Sequence, residues 1–83
     1  MLILYGRATC QPCKLTKGKL DKGGVRYKYV DLDENPDILE ALGEEEWITG
    51  LPVVVSQDDD FRWCSLDPGA IREAIARWGT AST

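Results

Sequence analysis

The chain has no histidine, and it has only three cysteines in 83 residues. The first absence removes the residue that usually serves as a general base near neutral pH, and the commonest metal ligand. The second argues against a small secreted fold stapled by disulfides, which carries a denser, even set of cysteines. Long apolar runs are missing too. The longest internal one is "LPVVV", far below the roughly 20 residues that span a bilayer. The start, "MLILYG", has no basic segment, and its apolar run is too short for a secretory signal. These absences predict a soluble cytoplasmic protein with no membrane partner, near the lower size limit for one self-sufficient core.

Bases are absent from residues 29–60, which hold eleven acids. Residues 7–28 reverse this, with seven bases (Arg7, Lys14, Lys17, Lys19, Lys22, Arg26 and Lys28) and the single acid Asp21. The net charge is −4. An acidic chain whose basic segment lacks interleaved aromatics is not built for nucleic acid. The basic block is either a solvated helix face or a positive field around whatever it surrounds.

It surrounds "RATCQPCK", where Cys10 and Cys13 stand three apart. The preceding "LILY" suits a buried strand. Thr9 is placed to cap a helix over Gln11 to Lys22, with Pro12 in its first turn and "GG" at its end. "VRYKYVDL" alternates like a strand. Strand, helix and strand on short connections make a parallel βαβ unit. Asn35 and Pro36 open a second helix, with an apolar stripe of Ile38, Leu39, Ala41 and Leu42, that stops near Gly43. "GLPVVVS" is a third strand and "FRW" a short fourth. Asp67 and Pro68 open a last helix, whose Ile71, Ala74, Ile75 and Trp78 share one face, and Gly79 ends it. The order β-α-β-α-β-β-α predicts an α/β fold: one mixed sheet with helices on both faces, over residues 1–79 as a single domain, with 80–83 a frayed tail.

Residues i and i+3 of a helix face the same way, so the two cysteine Cα atoms fall about 5–6 Å apart, within reach of a disulfide. A helix N-terminus favours negative charge on the Cys10 sulfur, and Arg7 and Lys14 add to that field. A thiol pKa lowered from about 8.5 to about 7 raises the thiolate at pH 7 from roughly 3% to about half. Cys13, deeper in the helix, is then the resolving thiol. The plain alternative is two thiols that only pack. A structural zinc site needs four ligands, usually in two close pairs. This chain offers one pair and the distant Cys64, so no metal site is expected. A metal or iron–sulfur module completed by a second chain is the rival from another class.

The segments "LILYGRATCQPCKLTK", "VRYKYVDLDENPD", "ITGLPVVV" and "WCSLDP", with the closing helix, resemble the glutaredoxin-like branch of the thioredoxin superfamily, and within it the NrdH-redoxins. The resemblance implies a thioredoxin fold, a four-stranded mixed sheet flanked by three helices. It implies dithiol–disulfide oxidoreductase activity on a protein disulfide, that of ribonucleotide reductase, by a monomer with no bound cofactor. It makes Pro52 a cis-proline beside the reactive pair, with the Leu51 backbone free to pair with substrate. Lys17 and Leu20 match a solvated charge and a core leucine. Gln11, Pro12 and Trp63 complete the substrate surface. Glutaredoxins show Gly-Gly where this chain has Arg62 and Trp63. "WCSLDP" keeps the Trp and Pro of the NrdH-redoxins and departs between them. Trp63 in a glutathione pocket favours thioredoxin reductase as electron source. Arg7, Lys14, Ser65 and Asp67 keep glutathione open as the alternative. Pro before the second cysteine is a thioredoxin habit, which points to the reducing half of the range from about −270 to about −200 mV. Cys64 is either a small buried hydrophobe or a regulatory thiol open to glutathionylation.

Overall fold

A computed structural model describes residues 1–79. Residues 80–83, expected as a frayed tail, lie outside the described residues. The elements are β1 (Leu2–Gly6), α1 (Gln11–Lys22), β2 (Tyr27–Asp31), α2 (Pro36–Gly43), β3 (Val53–Ser56), β4 (Arg62–Cys64) and α3 (Pro68–Trp78). This is the expected order. The sheet runs β2-β1-β3-β4, with β1 and β2 parallel and the other pairings antiparallel. Four strands and three helices in this arrangement make the thioredoxin fold.

Register decides which side chains share a face. Leu4 stands opposite Tyr29 on one side and Val54 on the other, and Val54 is opposite Trp63. That row belongs to the core, with Leu20 from α1 and Ile71 and Ala74 from α3. α1 buries Cys13, Thr16 and Leu20, which recur at helical spacing. Its end is a Schellman turn. Gly24 takes φ 75°, the Gly24 N–H donates to Asp21 O, and the Val25 N–H donates to Leu20 O at 2.9 Å. The second glycine of "GG" therefore supplies the left-handed residue that reverses the chain.

α2 is different. None of its residues is buried, and its expected stripe is only half-buried at Ile38, Leu39 and Leu42, with Ala41 exposed. Asn35 stands at its N-cap without capping it. The side-chain amide donates to Asp31 O at 2.7 Å instead, holding the turn after β2. The strand boundaries shift from expectation. β1 runs on to Gly6, and β2 covers Tyr27–Asp31 rather than 25–32, with Val25 spent on the Schellman turn. β3 starts at Val53 rather than Gly50, and β4 is Arg62–Cys64 rather than 61–63. Among the described residues no helix is long and apolar enough to cross a membrane.

The uneven packing has a measurable consequence. Leu20 is fully buried, so Leu20→Ala is expected to cost about 2–5 kcal/mol. Leu42→Ala is expected to cost less than half of that. Urea unfolding of both variants checks the contrast, and equal losses would contradict it.

Candidate active site

Strand directions gather the chemistry at one end of the sheet. β1 and the parallel β2 both finish there, with Gly6 opposite Asp31. The antiparallel β3 begins there, with Val53 opposite Tyr5, and β4 ends there with Cys64 opposite Val53. The loop carrying Arg7, the start of α1, the turn at Asp33, the Leu51–Pro52 bond and Ser65 therefore share this end.

Cys10 and Cys13 are joined as a disulfide, with Cα atoms 5.2 Å apart. Cys10 is half-buried, whereas Cys13 is 1% exposed. A Cβ built on Gly6 would stand 3.0 Å from Cys13 Sγ, so the second sulfur packs directly on the end of β1. Gln11 and Pro12 are exposed between the cysteines. Cys10, not Thr9, is the N-cap of α1. Its Sγ accepts the Cys13 N–H at 3.1 Å. The sulfur takes the capping place that a serine oxygen would fill, and one of the unpaired donors of the helix end points at it.

Leu51–Pro52 is a cis peptide bond. Pro52 is buried, and its carbonyl accepts the Ser65 N–H at 2.8 Å. Leu51 is half-buried and precedes the ladder of β3. No hydrogen bond to its N–H or C=O is found among the described residues.

The expected basic field is weaker than the sequence suggests. Arg7 Nε donates to Asp33 Oδ1 at 2.8 Å, and Nη2 lies 2.7 Å from the same oxygen as an ion pair. Arg7 is therefore a paired charge, not a free one. Its partner lies 26 residues away and reaches it only because β1 and β2 pair in parallel. No short-range signal marks Asp33. Lys14 is exposed, with no ion pair among the described residues. Lys17 is not a purely solvated charge: its Nζ lies 3.9 Å from the centre of the Tyr29 ring. Leu20 is the core leucine expected.

Trp63 needs correction. It is 5% exposed and belongs to the core, with Phe61 tilted against it at 5.5 Å. Its cluster includes Leu20 of α1 and Ile71 and Ala74 of α3. So little exposed surface gives it no part in a glutathione pocket or partner contact. Its neighbours face the other way. Arg62 lies over the Trp47 ring at 4.9 Å. Cys64 is half-buried and free, and its thiol donates to Trp47 O at 3.4 Å. The Thr49 N–H, with the Thr49 and Ser65 hydroxyls and the Gly50 N–H, holds that thiol below its ordinary pKa, against the opposing effect of burial. Thr49 is a further residue that sequence reading missed. Ser65 adopts φ 63°, unusual for a side-chain-bearing residue, and its N–H on Pro52 O ties this corner to the cis bond. Among the described residues no group of three or more Cys, Asp or Glu side chains is arranged to hold a metal ion.

Comparison with known proteins agrees with this geometry. The glutaredoxin family matches residues 2–62. The chain is similar to the glutaredoxin-like protein NrdH of Escherichia coli K12, at 29% identity over 70 residues, covering 84% of this chain and 83% of that protein. A solved structure of the NrdH-redoxin from Escherichia coli superposes with a TM-score of 0.76 at 28% identity, covering 87% of this chain and 91% of that one. A glutaredoxin from Archaeoglobus fulgidus gives a TM-score of 0.71 at 25% identity, with coverages of 89% and 84%.

The donors around Cys64 make a test. They stabilise the thiolate, so its proton leaves at lower pH. In the oxidised protein, alkylation of Cys64 is expected to reach half its maximal rate at a lower pH than free cysteine does. Thr49→Val keeps the backbone donor and loses the hydroxyl, so it should move that midpoint part of the way up. A midpoint at or above that of free cysteine would contradict the assignment.

Proposed function

This chain belongs to the glutaredoxin family and is a thiol–disulfide oxidoreductase, and from that premise we propose that it is an NrdH-type electron donor to a protein disulfide. The observation that carries this is the contrast within the pair. Cys10 caps α1 and is accessible, while Cys13 is 1% exposed and adjacent in space.

In the reduced protein the Cys10 thiolate attacks one sulfur of the substrate disulfide. A Cys10–substrate bond forms, and the other substrate sulfur leaves as a thiolate that takes up a proton. The Cys13 thiol loses its proton and attacks Cys10 Sγ. The Cys10–Cys13 bond forms, and the second substrate sulfur leaves as a thiol. Two electrons have then passed to the substrate. Burial keeps Cys13 from starting the exchange and leaves it next to the sulfur it must attack. Leu51 offers its free N–H and C=O to an extended substrate segment, as an added strand would pair. Gln11 and Pro12, exposed between the cysteines, form the rest of that contact.

The resemblance to NrdH-redoxins supports a reading in which ribonucleotide reductase is the substrate and thioredoxin reductase the electron source, in a reducing cytoplasm and with no bound cofactor. The Escherichia coli relative is described as having a thioredoxin-like activity profile. Trp63 no longer argues for this choice, because it faces the core. What does support it is that Arg7 is committed to Asp33 and that the Asp67 carboxylate caps α3, accepting the Ala70 N–H at 3.1 Å. Two of the four side chains considered for glutathione are thereby occupied.

Cys10→Ser is expected to abolish disulfide reduction, and Cys13→Ser to accumulate a mixed disulfide through Cys10. Full activity of Cys10→Ser would overturn the mechanism. In coupled assays, NADPH with thioredoxin reductase should sustain turnover, and glutathione with its own reductase should not. The reverse result would make the chain a glutathione-dependent glutaredoxin.

A further inference from the structure

A cavity of about 260 Å³ opens between the C-terminal half of α1 and the N-terminal half of α3. Its apolar lining is Ile71, Ile75 and Pro68. Its rim is three cations, Lys19, Lys22 and Arg72, and no acid lines it. None of the three cations has an ion-pair partner among the described residues. Nearby acids are engaged elsewhere. Asp21 accepts from Tyr27 Oη, Asp67 caps α3, and Glu73 pairs with Arg77. The chain as a whole is acidic, at −4, so this concentration of unpaired positive charge is local.

Two of the cations have an ordinary explanation. Lys19 and Lys22 lie in the last turn of α1, where they complement the helix dipole. Arg72 does not. It lies in the second turn of α3, where it gains nothing from the helix dipole; the Asp67 carboxylate at that end is the N-cap, and the first turn holds no acid. The cavity also depends on a close approach. Gly23 has φ −80°, which any residue adopts, yet a Cβ there would stand 2.6 Å from Ile75 Cγ1. The bare glycine lets the end of α1 close onto Ile75 and complete the lining.

We propose that this cavity binds a small phosphate monoester, with its apolar body on Ile71 and Ile75 and its dianionic head among Lys19, Lys22 and Arg72. Three cations lining one cavity match a dianion better than a single carboxylate. The volume lies just below the usual range for ligand pockets, about 300–1,000 Å³, so the body is compact. The site is separate from the dithiol. Lys19 and Lys22 are toward the far end of a 12-residue helix from Cys10, roughly 13 and 18 Å along its axis. Occupancy and disulfide chemistry can therefore be measured independently.

The test is a titration of the full, oxidised chain with phenyl phosphate, followed by amide and methyl NMR shifts. Saturable shifts are expected, centred on Gly23, Ile71 and Ile75. Inorganic phosphate, which lacks the apolar body, should bind at least about fivefold more weakly. Arg72→Glu and Lys22→Glu should each weaken phenyl phosphate by about tenfold, with the native fold retained by circular dichroism and disulfide reduction unchanged. Shifts that do not saturate or that spread over the surface would overturn the proposal. So would equal binding of inorganic phosphate, or undiminished affinity in both folded variants.

Discussion

The Cys13 N–H points at the Cys10 sulfur across 3.1 Å, at the one end of α1 where the backbone has donors to spare. In the mechanism proposed for the protein, the chemistry depends on that contact. A neutral thiol is a weak nucleophile, and a donor aimed at the sulfur favours its anion. The same contact fixes where Cys10 stands relative to Cys13, because cap and helix position N3 are held one turn apart. Arg7 adds less than its charge suggests, since it is hydrogen-bonded and ion-paired to Asp33. The helix end supplies a donor at this sulfur that does not depend on Arg7.

That end must be held still, and the packing does this unevenly. α1 is anchored by Cys13, Thr16 and Leu20, and it packs with α3 over the core face of the sheet. α2 buries nothing completely. The reactive pair therefore rides on the best-anchored helix of a small domain whose total stability is only about 5–15 kcal/mol. The strand directions do the rest. Three strand ends and one strand start meet beside α1, and this brings the cis Leu51–Pro52 bond and the Ser65 corner to the same place as the cysteines.

Much of this was legible in the sequence wherever the determining contacts are local. Cysteine spacing set a separation of about 5–6 Å, and the observed 5.2 Å agrees. "GG", Asn35-Pro36 and Asp67-Pro68 bounded the helices. The cis state of Pro52 came from family resemblance, since no local pattern requires it. What failed was non-local. Whether Trp63 faces the core or the substrate turns on its register with Val54, and a three-residue strand is too short to show a period of two. Asp33 claims Arg7 only after β2 is laid beside β1. The cap was missed by one residue, because Thr9 is a conventional capping side chain and a cysteine is not.

The central claim is that position at the end of α1 selects Cys10 as the attacking thiol. The most direct test treats the fully reduced wild-type chain with less than one equivalent of iodoacetamide at neutral pH. Peptide mass spectrometry then shows which cysteine is modified first. The account predicts Cys10, ahead of Cys64 and far ahead of the buried Cys13. First labelling of Cys13, or of Cys64 in preference to Cys10, would contradict it.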